Sequence, residues 1–328
     1  MADLRVEFCI LTKMNVRGFE NNKEFAFRLS SFKGVLRYWA RAIEPSLTEP
    51  DVESITGEDR LFGSARTGQA QFRMRLDEKT SGRKFYGSEN HTFSIIFSMK
   101  ASKKQEWETL VKSIWALGMF GGIGSKAGQG KGAVQIEKWE FLRKGNESEV
   151  EFGALTLLCD KLPIPENKKD SGKKEKLDSW LNQFEQAMKQ HMPNGAYQYK
   201  HPQLSADFSP FIRKEGIVKS EYALKKARSC FAGFKKLSDD EKENYMMDKL
   251  YPEYRESEET SKDDFKRVIS PIKFRVIQVG GLFYPIIIPM VVNEHLPSDL
   301  TADLKVKPHE LNQFLDYIKE QSFEEVYK

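Results

Sequence analysis

At 328 residues, with 39% hydrophobic and 30% charged residues and a formal charge of +4, the chain is neither disordered nor fibrous and has length enough for two domains. The charge is unevenly spread: residues 1–145 hold 24 Lys and Arg against 17 Asp and Glu, a surplus of +7, and the remainder holds 28 against 31, so the first half is the one suited to a polyanion. Cys9, Cys159 and Cys230 are odd in number and far apart, the histidines are scattered, and the apolar run Leu282 to Val292 is short and broken by Pro285 and Pro289, which argues against a disulfide framework, a metal site, a cofactor or a membrane span. With no signal pattern at Met1 to Glu7, the expected location is the cytoplasm.

In chain order, Val6 to Val16 opens as a strand with Val6, Phe8 and Ile10 on one face. A short extended piece from Phe25 to Leu29 leads to Ser30 or Ser31 as the cap of a helix over Phe32 to Ile43, which Pro45 stops. Phe32, Leu36, Trp39, Ala40 and Ile43 form its buried stripe. Lys33, Arg37 and Arg41 follow at i, i+4 and i+8 along a separate edge that meets no acid before Glu44. Solvated helix faces usually mix signs, so this edge is read as a polyanion contact. Thr48 to Gly68 reads as an ordered loop carrying Arg60, Leu61-Phe62-Gly63-Ser64 and Arg66.

Two strands follow, Gln69 to Leu76 and His91 to Lys100, with Arg73 and Arg75 on the face opposite the core, expected beside aromatic residues. Glu106 to Phe120 is a helix burying Trp107, Leu110, Val111, Ile114 and Leu117, and Ala133 to Phe141 is a strand. Between them lies Gly118 to Val134, the densest run of glycine in the chain. Such a run suits positive φ or close approach of another backbone. With Gly124, Ser125, Lys126, Gln129 and Lys131, freed amides beside two lysines would cradle phosphates. The flanks exclude two familiar loops: the dinucleotide fingerprint needs strand before and helix after, the reverse of the order here, and Lys131 is followed by Gly132 rather than Ser or Thr.

The order strand, helix, strand, strand, helix, strand is the ferredoxin-like plan, a four-stranded antiparallel sheet with helices on one face. The polar stretch around Arg143 to Glu149 divides residues 1–145 from a second domain over 150–328. There Phe152 to Cys159 reads as a strand, Leu177 to His191 and Glu221 to Leu250 as helices, and Lys266 to Val279 with Leu282 to Val292 as a hairpin turned by Gly280-Gly281. Pro308 to Tyr327 closes with a helix burying Leu311, Phe314, Leu315, Ile318 and Phe323. The expected class is α+β, with tandem ferredoxin-like domains, the second decorated by extra helices.

Three segments resemble the RAMP superfamily, the RNA-binding subunits of CRISPR effector complexes. Arg28-Leu-Ser-Ser-Phe-Lys33-Gly34-Val-Leu-Arg37-Tyr-Trp39-Ala-Arg41-Ala and Leu61-Phe62-Gly63-Ser64 are similar to the start of the first-named RAMP subunit of the type III-B Cmr complex. Gly121 to Val134 resembles the superfamily's glycine-rich loop, although Gln129 and two lysines stand where arginines are usual, and a lysine cannot clamp a phosphate bidentately. The resemblance implies a non-catalytic subunit that holds the 3′ region of the guide RNA and the target RNA beside the second end-capping RAMP subunit and the backbone RAMP subunit. It implies RNA contacts at Arg28, Lys33, Arg37, Arg41, Arg60, Arg66, Gly124, Ser125, Lys126, Gln129 and Lys131, with Lys33, Arg37, Arg41, Lys126 and Lys131 in one continuous basic surface. The chief alternative is an endoribonuclease of the kind that processes precursor CRISPR RNA, for which His91 is the nearby titrating residue.

Overall fold

The computed structural model describes residues 1–15, 27–51, 53–77, 89–143, 149–167, 173–192, 203–205, 209–237, 272–290 and 308–327. Its first half contains strand β1 (Ala2–Ile10), helix α1 (Leu29–Ile43), short helix α2 (Gly57–Phe62), strands β2 (Arg73–Leu76) and β3 (Thr92–Met99), helix α3 (Lys104–Phe120) and strand β4 (Val134–Arg143). These strands form an antiparallel sheet in the order β2-β3-β1-β4, which is the ferredoxin-like arrangement. Alternation along β1 explains the layering: Leu4, Val6, Phe8 and Ile10 are fully buried, on the face that meets Phe32, Leu36 and Trp39 of α1 and Trp107, Leu110 and Ile114 of α3 in one apolar cluster.

The opposite face of this sheet is charged. Register places Arg75 opposite Ile96, Arg5 opposite Glu140 and Asp3 opposite Ser98, and Arg5 pairs with Asp77 at 2.9 Å. Arg73 and Arg75 therefore lie beside acids, serine and isoleucine rather than the aromatic residues expected for them. β1 ends at Ile10, short of the expected Val16, which lies outside the described residues, and β2 begins only at Arg73.

Helices α4 (Glu149–Asp160) and α5 (Lys173–His191) follow. The segment Phe152 to Cys159, expected as a strand, is helical; its buried positions Leu155 and Cys159 are one helical turn apart. Beyond them come strand β5 (Phe211–Ile212), helix α6 (Ser220–Leu237), strands β6 (Ile272–Val279) and β7 (Leu282–Pro289), helix α7 (Pro308–Glu320) and strand β8 (Glu324–Glu325). The second sheet runs β6-β7-β5-β8, the same relative order as the first, so the ferredoxin-like plan is used twice. Gly280 and Gly281, at φ of 56° and 80°, provide the two left-handed residues that a tight hairpin requires. Residues 238–271, which include the expected strand start at Lys266, and the side chain of Leu311 lie outside the description. Phe314, Leu315, Ile318 and Phe323 are buried as expected.

The two sheets share their cores. Cys9, Leu11 and Ala133 of the first half pack with Leu224, Phe231 and Phe274 of the second. Gln135 joins them by a double amide contact, donating to Gln278 O at 2.9 Å and accepting from Gln278 N at 2.9 Å. Fully buried Arg275 of β6 donates to the carbonyls of Leu117 (3.5 Å), Gly118 and Val134. The first two belong to the last turn of α3, where a cation complements the helix dipole; Leu117 O also accepts from Gly121 N at 2.9 Å, which closes that turn. Burial pushes the Arg275 guanidinium down to about 9, so it remains charged at neutral pH. Among the described residues, no helix is long and apolar enough to cross a membrane.

Candidate nucleic-acid interface

The glycine-rich loop is a third layer laid on the extension of β1. Thr12 Oγ1 donates to Gly130 O at 2.7 Å and accepts from Ala133 N at 2.9 Å. Ser125 N donates to Asn15 O at 2.9 Å, Ile123 N to Gly132 O at 2.8 Å and Gly132 N to Lys13 O at 3.1 Å. Several loop amides expected to face a phosphate are thus engaged within the chain, including Gln129 N to Lys126 O and Gly130 N to Ala127 O. The glycines are needed for geometry: Gly132 has φ of 64°, and a methyl group there would sit 2.1 Å from Ile123 O. Lys126 is the non-glycine residue of the loop at positive φ, 64°. That conformation costs an L-residue about 1 kcal/mol, and it projects an exposed lysine from the crest of the loop.

Two grooves flank this loop and meet at Asn15. The first, of about 430 Å³, is lined by Asn15, Phe27, Arg28, Ser31, Val35 and Ile123 to Lys126. Among its described lining residues are two cations and no acid. The second, of about 1290 Å³, runs between the β1 extension and α6, with Lys13, Lys131, Lys225 and Arg228 against Glu89 and Glu221. No described acid forms an ion pair with Lys13, Lys126, Lys131, Lys225 or Arg228.

The basic edge of α1 has a different fate. Lys33 donates to Phe62 O at 3.0 Å and Arg37 to Gly63 O at 3.2 Å. Arg37 also pairs with Glu58 and, at 3.3 Å, with Asp59, and Arg41 reaches Glu58 at 3.6 Å. Burial works to raise the Asp59 carboxyl, but hydrogen bonds from Thr56 and Ser64 and the Arg37 charge together hold it below its usual value. The helix motif and Phe62-Gly63-Ser64 are therefore one structural unit, in which cations of α1 fix the carbonyls and acids around α2. Arg60 pairs with Asp51 and Arg66 donates to Ser54 O at 3.1 Å, both at the exposed surface.

At 100° per residue, positions 33 and 37 lie about 200° around α1 from Ser31 and Val35, which line the first groove. The expected continuous surface of Lys33, Arg37, Arg41, Lys126 and Lys131 is thus not what the fold builds. Lys126 opens to the first groove and Lys131 to the second, with the α1 edge turned away. Gln129 is 5% exposed, buried where the loop passes β6. Arg28, Gly124, Ser125 and Lys126 do come together. The sequence reading missed Lys13, isolated in sequence, and Lys225 and Arg228, which stand in the run Lys225-Lys226-Ala227-Arg228. The signal for Lys225 is the exposed stripe Tyr222, Lys225 and Ser229 on α6, spaced for one helical face, with half-buried Arg228 beside it. His91, the candidate of the nuclease reading, is half-buried at the start of β3, and its carbonyl accepts from Ile10 N at 2.9 Å.

Comparison with known proteins adds a partial family match and a shared fold. Residues 11–135 match the model of the RAMP superfamily. No curated protein matches the chain by sequence. Among solved structures, the crystal structure of Cmr1 from Pyrococcus furiosus in apo form is similar at a TM-score of 0.59 and 16% identity, over 100% of this chain and 99% of that one. A chain of the type III-B Cmr-beta complex bound to cognate target RNA aligns at a TM-score of 0.60 and 10% identity, over 97% and 99%. A further structure of that complex, with target RNA, AMPPnP and single-stranded DNA, gives 0.56 and 13%, over 98% and 99%. Likeness at these identities establishes a shared fold along the whole chain.

Proposed function

We propose, from the match of residues 11–135 to the RAMP superfamily model, that this chain is a non-catalytic RNA-binding subunit of a type III-B CRISPR effector complex. In this reading it works in the cytoplasm and holds the 3′ region of the guide RNA together with target RNA. Its protein neighbours are the second end-capping RAMP subunit and the backbone RAMP subunit. The observation that carries the proposal is the first groove, where Arg28, Ser31, Ser125 and Lys126 face one another. Such a trough suits a phosphate backbone, which needs cations and hydroxyl donors rather than a set of reacting groups. The full-length similarity to Cmr1 and to a chain of an RNA-bound Cmr complex supports the same assignment.

The test is the salt dependence of single-stranded RNA binding. Each cation on a phosphate contributes about 0.7 to the slope of log affinity against log salt, so Arg28→Ala with Lys126→Ala flattens the slope by roughly 1.4. Lys189→Ala and Lys319→Ala, whose lysines already pair with Glu185 at 2.7 Å and Glu325 at 3.0 Å, leave it at the parent value. A folded double variant that keeps the full slope removes the groove from RNA binding.

A further inference from the structure

The second groove is the larger of the two, and its far wall belongs to the half of the chain whose net charge is negative. Even so, α6 turns a basic and aromatic face into it. Tyr222, Lys225, Arg228 and Ser229 line this wall with Leu224 and Phe231 at its base, and Ala223, Leu224, Ala227 and Phe231 are buried in the second core. Tyr222 is 57% exposed, a large aromatic side chain with most of its ring in solvent. Lys219 Nζ stands 5.6 Å from the ring centroid, which places a cation beside one ring face. Across the groove are Lys13 and Lys131. Asn15 lines both grooves, so the two are consecutive stretches of one path around the glycine-rich loop.

Taking the RNA reading of the first groove as its basis, we propose that α6 is a second contact for single-stranded RNA. In this contact Lys13, Lys131, Lys225 and Arg228 hold phosphates and the exposed ring of Tyr222 stacks on a base. The chemistry follows from the pairing of an electropositive trough with an aromatic platform, the combination by which proteins bind single strands without reading sequence. The charged face of the first sheet lacks aromatic residues on β1 to β4, so it offers no stacking surface of its own. The strand therefore passes from the first domain onto the second, crossing the junction that Gln135 and Arg275 hold rigid.

The experiment measures anisotropy of labelled oligouridylate, long enough to cover both grooves, bound to the full chain over a range of salt. Tyr222→Ala weakens binding about tenfold with the salt slope unchanged, since stacking carries no counterion release, and Tyr222→Phe retains parent affinity. Lys225→Ala with Arg228→Ala flattens the slope by roughly 1.4. These side chains are exposed or half-buried on a helix whose packing lies on the other face, so circular dichroism serves as the check on folding. Parent affinity and slope in both variants, with the Arg28 and Lys126 variant still impaired, overturns the α6 contact and leaves the first groove standing. Absence of salt-dependent RNA binding by the parent chain overturns both. If the α6 variants bind RNA normally but lose a co-purifying protein, the face is a protein contact and the proposal fails.

Discussion

Gly34 and Gly130 sit in opposite surroundings. Gly130 has φ of 81°, and a methyl group there would lie 2.3 Å from Leu224 Cδ1 and 2.8 Å from Phe274 O. Alanine at 130 meets strain and overpacking together, and we expect it to lower stability by about 3 kcal/mol in urea denaturation. Gly34 is in the middle of α1 with no atom within 4 Å of the added methyl. Gly34→Ala should raise stability by about 0.5–1 kcal/mol, because glycine in a helix interior forfeits that much in backbone entropy. RNA affinity measured on the same variant shows what the glycine serves. A fall in affinity despite higher stability means that a phosphate or a partner backbone occupies the space beside Ser31, whereas loss of stability would contradict the open surroundings.

At the scale of elements, α1 and α2 are held by charge as much as by apolar contact. Glu58 is 8% exposed and takes Arg37 and Arg41 as partners. Arg37→Ala leaves that buried carboxylate with one cation and strips the donor from Gly63 O, so a loss of about 1–3 kcal/mol is expected. The RNA salt slope should be unchanged. A double-mutant cycle with Glu58→Gln should give a coupling of about 0.5–3 kcal/mol. A flattened slope in a stable Arg37→Ala protein would return the α1 edge to the RNA surface. The run of cations at 33, 37 and 41 was visible in the sequence; its partners were not, because Glu58 and Asp59 are about 20 residues away and belong to a helix too short to announce itself by periodicity. The first ferredoxin-like unit was legible, since Val6, Phe8 and Ile10 of β1 and Phe93, Ile95 and Phe97 of β3 recur at every second position and are buried. α4 was misread because its apolar residues spill onto the solvent side, with Val150 78% and Leu157 55% exposed, which erases the helical stripe. β5, two residues long, offered no period at all.

For the whole molecule, the junction between the sheets is built from buried polar groups set in apolar packing. Arg275→Met keeps much of the volume but removes charged donors from Gly118 O and Val134 O. A loss of about 2–4 kcal/mol follows, as buried carbonyls left without donors cost roughly 1–3 kcal/mol each and some of that is offset by no longer burying a cation. Cys9 reports on the same junction. Burial pushes its thiol up to about 12, so at pH 8 the thiolate is roughly 10⁻⁴ of the population. Iodoacetamide should label Cys9 in the parent only through opening, and faster in Arg275→Met if the sheets part before global unfolding. Equal labelling rates with lowered overall stability would mean that the junction opens only when the entire chain does.

The guanidinium that satisfies the end of α3 lies 157 residues downstream of Gly118. During synthesis at about 5–20 residues per second, that interval lasts roughly 8–30 s. For that time Gly118 O at the end of α3 lacks its guanidinium donor, and Cys9, Leu11 and Ala133 lack the apolar side chains that later cover them. The first half thus leaves the ribosome as an unfinished surface, at risk from other nascent chains until β6 arrives. Its yield in a cell should depend on the pace of translation between α3 and β6 as well as on the final stability of the fold.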